Sequence, residues 1–289
     1  ADMIQLADGR WYMVSLGKRN DLDGDANMGR ETYLIPMKWE PTIVKWEQVS
    51  ETKWEPLRYL FPVAAPLSGK VERFFPLPFA EKPQYINNSY IDDFTSSNLK
   101  LDWTFIRVPK QNTISLTDNP GHLRLYPQST TIENRKNFSM IGFRQRESDF
   151  DYQVKMNFMP KKNKVESGII HYQKERNYLT SVVYKVGKKF FLEQKLKEKD
   201  KNVTSLKKVH LKKYSGSIIF KTESREDRYT FYYSLDNGET FTSFNFIDAI
   251  KMLDRNYTGA LLGMYATSNG VSSKDYADFD WIRYNDFIR

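Results

Sequence analysis

Two short aromatic strand patterns at the N-terminus most constrain what this chain can fold into. The first runs from Met3-Ile4-Gln5-Leu6 through Asp8-Gly9 into Trp11-Tyr12-Met13-Val14, and the second is Gly29-Arg30-Glu31-Thr32-Tyr33-Leu34-Ile35-Pro36-Met37-Lys38-Trp39. Asp8-Gly9 between apolar runs is a hairpin signal, because glycine supplies the positive φ of a tight turn. Together the two patterns read as one blade of a larger propeller. A lone blade cannot bury both faces, so the pattern calls for a body that residues 1–40 do not supply.

The rest of the chain reads as sheet as well. Aromatic residues make up 15% of the 289, with 18 Tyr and 19 Phe. That density suits pleated, half-buried surfaces and excludes a disordered chain. Short alternating runs recur from Leu123–Tyr126 to Ala277–Tyr284, separated by Asn119-Pro120-Gly121, Asp236-Asn237-Gly238 and Ser268-Asn269-Gly270. Such spacing implies a β-sandwich or barrel. One short helix is expected around Phe246–Leu253. Half of the 12 prolines fall within residues 56–88, which reads as an extended connection because proline interrupts ladder and helix alike. The expected organisation is therefore 1–55 a blade, 56–88 a Pro-rich linker and 89–289 the sandwich.

Charge and cysteine narrow the chemistry. There is no cysteine, so disulfides, thiolate nucleophiles and cysteine metal sites are excluded. Between Asp151 and Lys213 there are 17 Lys and Arg against 6 Asp and Glu, a local +11 within a total of +8. These lysines alternate with apolar residues, as on the solvent face of antiparallel strands, where lysine also discourages edge pairing. Nucleic acid is not the expected partner. No apolar run reaches the roughly 18 residues of a membrane span, and residues 1–10 do not read as a signal peptide. Compartment stays open between periplasmic or secreted and cytoplasmic. Asp21, Asp23 and Asp25 superficially suggest a calcium loop, but the bidentate glutamate and flanking helices of such a loop are missing. His122, His171 and His210 are scattered and read as structural.

Taken in order, several phrases resemble family 43 glycoside hydrolases of the β-xylosidase and α-L-arabinofuranosidase type. They include Ala1-Asp2, Asp8-Gly9-Arg10-Trp11-Tyr12, Gly29-Arg30-Glu31-Thr32, Asp92-Asp93-Phe94, Leu101-Asp102-Trp103-Thr104-Phe105, Gly142-Phe143-Arg144-Gln145, Gly263-Met264-Tyr265-Ala266 and Ala277-Asp278-Phe279-Asp280-Trp281. The resemblance implies an all-β chain: a concanavalin A-like antiparallel sandwich preceded by the last blade of a five-bladed propeller. It implies a partner segment, the N-terminal propeller, and xylo- or arabino-oligosaccharide as ligand. It also implies inverting hydrolysis by carboxylates on earlier blades, for which this chain has no counterpart. No cofactor is required for such chemistry.

Two residues carry the expected substrate contacts. Arg30 resembles the family arginine that reaches the sugar pocket, where a guanidinium donates to hydroxyls and lowers a neighbouring carboxylate pKa. The alternative for Arg30 is a surface pair with Glu31 or Asp25. Phe138 resembles a sandwich-loop aromatic beside that pocket, and its alternative is a core or interface phenylalanine. Asp92, Asp93, Asp278 and Asp280 could gather as a structural calcium site, or else bond loop amides. Two other functions compete with part of a glycosidase: a carbohydrate-binding sandwich without turnover, and a structural domain without ligand.

Overall fold

The computed structural model describes residues 1–19, 27–79, 89–109, 112–254 and 258–287. The chain forms two compact units. Among the described residues, 1–19 and 30–79 make the first, and 27–29 with 89–287 make the second.

The first unit is a four-stranded antiparallel sheet in sequential order: β1 (Asp2–Gln5), β2 (Trp11–Lys18), β3 (Arg30–Ser50) and β4 (Lys53–Ala64). The Asp8-Gly9 turn forms as expected, with Gly9 at φ +84° and its amide donating to Leu6 O at 2.9 Å. Tyr12, Ile35, Met37 and Ala65 are its buried apolar residues.

The expected linker boundary at 56 is corrected here. The chain stays in the ladder to Ala64, with Pro56 opposite Trp46 and Pro62 opposite Trp39. Proline is tolerated because β4 is an edge strand, where a missing N–H can face outward. A Lys-Trp-Glu triplet recurs at 38–40, 45–47 and 53–55. Residues two apart on a strand share a face, and each triplet closes its own Lys–Glu ion pair. Trp46 and Trp54 project from the other face of the long hairpin and are more than half exposed. The irregular stretch begins only at Ala65, and Arg10 Nη2 donating to Pro78 O at 3.0 Å ties it back to the same unit.

The second unit is a sandwich of two antiparallel sheets. Its strands are β5 (Tyr90–Asp92), β6 (Ile114–Ser115), β7 (Leu123–Leu125), β8 (Ser139–Arg144), β9 (Asp149–Asn157), β10 (Glu166–Lys174), β11 (Asn177–Val186), β12 (Lys189–Glu198), β13 (Thr204–His210), β14 (Ser217–Arg225), β15 (Arg228–Ser234), β16 (Thr242–Asp248), β17 (Leu261–Thr267) and β18 (Ala277–Phe287). One sheet runs β13-β12-β11-β10-β17-β8; the other runs β16-β15-β14-β9-β18-β7-β6, with β5 also on β18. The N- and C-terminal parts of the unit thus close on each other through β5 and β18.

Period-two alternation builds the core. Phe150, Tyr152, Val154 and Met156 of β9 face inward, as do Ile218 and Phe220 of β14. In β10, β11 and β17 both faces are buried. Ile169, Leu179, Val183, Leu262 and Met264 enter the main core, while Ile170, Tyr172, Tyr178, Val182, Leu261 and Tyr265 form a second cluster on the outer face. Backbones approach closely here: a Cβ at Gly168 would lie 2.0 Å from Ser181 O.

The expected helix at Phe246–Leu253 is a strand end followed by a single 3-10 turn, Ala249–Met252. Phe246 pairs with Thr230 in the sheet, so tertiary pairing overrides local pattern. Four strands of the sandwich escaped the sequence reading: β5 and β6, only three and two residues long, and lysine-rich β13 and polar β16, which lie at sheet edges and lack a continuous apolar face. No helix among the described residues is long and apolar enough to cross a membrane.

His171 is fully buried between the sheets. Its ring packs 5.3 Å from Phe231 and 5.6 Å from Tyr229, and neither ring nitrogen has a hydrogen-bond partner among the described residues. Burial pushes its pKa down to about 3. The folded state therefore holds the neutral ring, while the unfolded chain protonates near its ordinary value of about 6.5. The contribution of neutral His171 is present above that value and is lost as pH falls toward 3, by up to about 1.4 kcal/mol per pH unit. Urea unfolding from pH 7 to 4 should show His171→Leu losing less stability than wild type; parallel curves would refute this. At Gly168, Ala should cost about 2 kcal/mol or more by overpacking, read as a lower urea midpoint at unchanged slope.

Candidate functional site

Arg30 opens β3 opposite Lys18 and is exposed. Gly29 before it sits at φ +70°, a left-handed conformation that favours glycine. Glu31 is held by Arg19, with Arg19 Nη2 at 2.7 Å from Glu31 Oε1. On the neighbouring strand, a Cβ at Gly17 would lie 2.5 Å from the Tyr33 ring. Glycine there admits the Tyr33 ring, next to the Gly-Arg-Glu-Thr phrase.

Residues 27–29 belong to the sandwich unit. Ala260 N donates to Asn27 O at 2.6 Å, and the Tyr229 hydroxyl lies 3.2 Å from Asn27 Oδ1 and 3.0 Å from Gln145 Oε1. A Cβ at Gly259 would be 2.7 Å from Met28 O, so glycine is what lets this segment seat.

Phe138 is buried in the outer cluster. Its ring centroid is 6.4 Å from both Tyr172 and Tyr265, and the Arg107 guanidinium lies 6.0 Å from its centre. The loop before it turns at Ile132–Asn134, with Asn134 Oδ1 accepting from Thr131 N at 2.7 Å and Arg135 at φ +52°. Ile132 anchors the loop in the same cluster while Glu133 to Lys136 face solvent. Of the two expected roles, the packing of Phe138 matches the core role, and the exposed side chains of its loop are polar.

Beside that cluster lies a cleft of about 620 Å³ whose lining includes Asp102, Phe105, Arg146, Tyr172, Glu175 and Leu261. Its carboxylates are matched to guanidinium groups: Asp102 to Arg146 at 2.5 Å and Glu175 to Arg107 at 2.5 Å. Burial works to raise Glu175, but its backbone hydrogen bond and Arg107 outweigh this and hold it below the ordinary carboxylate value. Just outside, Asp254 is held low chiefly by its hydrogen bond from Lys174, at 2.6 Å, with Arg176 adding at 2.7 Å. Burial pushes the Tyr172 hydroxyl up, with Glu175 adding to it. Pairs separated by 44 and 68 residues leave no local spacing signal, which is why the sequence did not reveal this cleft.

Seven carboxylates among the described residues are displaced from their ordinary pKa: Asp8, Asp93, Asp118, Glu175, Glu223, Asp236 and Asp254. All move down. A general acid at neutral pH needs a carboxyl pushed up.

The four aspartates considered for calcium have separate partners. Asp92 is buried and accepts from Trp103 Nε1 at 2.8 Å and Phe94 N at 3.2 Å. Asp93 caps Thr95. Asp278 takes a two-pronged contact from Arg124 at 2.7 and 2.8 Å and a third from Asn119. Asp280 pairs with Lys155 at 2.8 Å. Among the described residues no three His, Asp or Glu side chains converge as a metal cage. Asp21, Asp23 and Asp25 lie outside the described residues. His210 is exposed, and His122 is half-buried with its Nδ1 enclosed.

Asp92→Ala should lower unfolding free energy by about 3 kcal/mol, since Trp103 Nε1 and the Phe94 amide lose their acceptor in a buried setting. Asp93→Ala, on an exposed cap, should cost about 1 kcal/mol or less. Urea curves measure both, and wild-type midpoints should not move with EDTA.

Comparison with known proteins follows from this architecture. Residues 91–285 match the family model described as beta xylosidase C-terminal concanavalin A-like domain. A non-reducing end alpha-L-arabinofuranosidase of Bacteroides ovatus is 30% identical over 291 residues, covering 98% of this chain and 50% of the relative. A xylosidase/arabinosidase of Butyrivibrio fibrisolvens is 29% identical, covering 97% and 51%. The solved structure of the Bacteroides ovatus xyloglucan PUL GH43B superposes with a TM-score of 0.80 at 27% identity, over 99% of this chain and 53% of that one. The chain spans about half the length of the curated relatives it matches.

Proposed function

The chain belongs to the family 43 glycoside hydrolases, through their C-terminal concanavalin A-like domain, and we propose that it serves as the sandwich-bearing portion of an inverting glycosidase. The substrates are terminal xylose or arabinose residues of hemicellulose oligosaccharides. The named activities of the Bacteroides and Butyrivibrio relatives support this reading.

Inverting hydrolysis needs a raised carboxylic acid on the leaving oxygen and a carboxylate on the attacking water, about 6.5–9.5 Å apart. The observation that carries our assignment is that the displaced carboxylates all move down, while Asp102, Asp278 and Asp280 are held by cations. The seven lowered carboxylates favour the ionised form that accepts hydrogen bonds. In this proposal the acid and base belong to the propeller segment, and no carboxylate among the described residues is assigned either role.

Arg30 is the substrate-facing group of the chain. Its exposed position at the start of β3 suits a guanidinium that donates to sugar hydroxyls in a fixed fork. Phe138 acts indirectly in this proposal: its packing against Tyr172 and Tyr265 fixes the 131–137 loop.

The test uses 4-nitrophenyl β-D-xyloside and 4-nitrophenyl α-L-arabinofuranoside. The 289-residue chain alone should give no turnover above buffer, and turnover would refute the placement of the carboxylates. A chimera carrying this chain in place of the matching half of the Bacteroides ovatus relative should hydrolyse at least one of the two. In that chimera Arg30→Ala should lower kcat/KM by about 100-fold, the scale of a lost charge-assisted contact. An unchanged kcat/KM would remove Arg30 from the pocket.

A further inference from the structure

A second cleft, of about 760 Å³, opens at the end of the β9 sheet where Asn157 pairs with both Ser217 and Asp278. It lies wholly within the sandwich unit and shares no lining residue with the cleft beside Phe138. Its walls include Met159, Lys161, Lys185, Lys274 and Tyr276.

One wall is an aromatic platform. Tyr276 is 43% exposed, and the Arg124 guanidinium lies 3.8 Å from its ring centre. Arg124 is itself fixed by the two-pronged contact with Asp278. The ring is thus supported by an immobilised cation while remaining accessible. Met159, half exposed, adds apolar surface, and Gly216 keeps it clear: a Cβ there would lie 3.1 Å from Met159 Cε.

The cleft carries an excess of positive charge, with Lys161, Lys185 and Lys274 against Asp275 and Asp278. Its two acids are already occupied. Asp275 accepts from the Lys161 amide at 2.9 Å, the Lys162 amide at 3.3 Å and Ser273 Oγ at 2.8 Å, and Asp278 is taken by Arg124 and Asn119. Lys162 spans to Ser272 O at 2.6 Å. Lys161, Lys185 and Lys274 make no ion pair among the described residues. Three lysines outside any ion pair among the described residues thus line the same cleft as the accessible Tyr276 ring, against the Asp275 carboxylate and the Arg124-paired Asp278.

From this geometry we propose a second sugar-binding site, selective for oligosaccharides that carry a carboxylate, such as a uronic acid branch. A pyranose presents an apolar face to Tyr276 and Met159. The lysines supply point charges for the carboxylate, and Asn157, Ser215 and Ser217 offer groups for hydroxyls. A single platform in a short cleft fits a sugar better than single-stranded nucleic acid, which uses successive rings along a groove. The choice of sugar rests on family membership and not on the role proposed for Arg30.

Isothermal titration of the 289-residue chain with xylotetraose bearing one glucuronic acid, and with unbranched xylotetraose, tests this. The acidic ligand should bind about tenfold tighter at low salt, and the gap should narrow at higher ionic strength. Lys161→Gln with Lys274→Gln should abolish the gap while leaving thermal stability unchanged. Tyr276→Ala should weaken both ligands about tenfold. Equal affinities, insensitivity to these variants, or equally effective displacement by inorganic phosphate would overturn the site. Arg30→Ala should leave acidic-ligand affinity unchanged; its loss would assign the ligand to the Arg30 site and refute this one.

Discussion

The structure depends on a sheet whose central strands are buried on both faces. β10 exposes nothing until its last residue, and β17 buries all seven of its own. A strand in that position needs two cores, one facing the opposite sheet and one facing outward. The inner core is the ordinary interior of a sandwich. The outer one exists only because the 131–137 loop and the stretch around Ile106 cover it. Apolar area removed from water on both faces, at roughly 25 cal/mol per Å², makes these strands the most constrained part of the chain. Gly168 meets that constraint by leaving room for the Ser181 carbonyl.

The first cleft inherits its shape from the same arrangement. Tyr172 and Leu261 belong to the outer cluster and also line the cleft. Phe138, one ring further in, fixes Tyr172 from behind. The Asp102–Arg146 and Glu175–Arg107 pairs stand on this packed floor. With each carboxylate matched to a guanidinium, the cleft can hold its walls in place and offer hydrogen bonds, but acid–base work would require breaking a pair.

Much of this architecture was legible in the sequence. Alternation located most sandwich strands, because period-two patterning survives wherever one face is wet. The Asp8-Gly9 and Asp236-Asn237-Gly238 turns were read from glycine placement, and Gly238 indeed sits at φ +93°. The misses share a cause. Pro56 and Pro62 suggested a linker because proline cannot join an interior ladder, yet an edge strand accepts it. β13 was hidden by its lysines, and Phe246 looked helical until its pairing with Thr230 fixed it in a sheet. At the candidate sites, Arg30 is proposed on a family phrase alone. The ion pairs around the first cleft join residues far apart in the chain, and only the fold brings them together.

Charge balance explains how one sandwich can hold its carboxylates in pairs and still present a basic surface. The aspartates that hold the fold together are bound to cations or amides: Asp92 to Trp103 and Lys100, Asp278 to Arg124, Asp280 to Lys155, Asp254 to Lys174 and Arg176. At Asp254 the pairing with Lys174 and Arg176 also favours the ionised carboxylate. The same pairings take carboxylates away from the basic residues that remain. With 44 Lys and Arg against 36 Asp and Glu over the whole chain, the basic residues are in excess. Along β13 the surplus guards an edge, with Lys207 and Lys208 lying over aromatic rings. Around Tyr276 it borders a cleft. Lysine that discourages a neighbouring strand at one place therefore attracts a carboxylate at another, and the local surface geometry decides which.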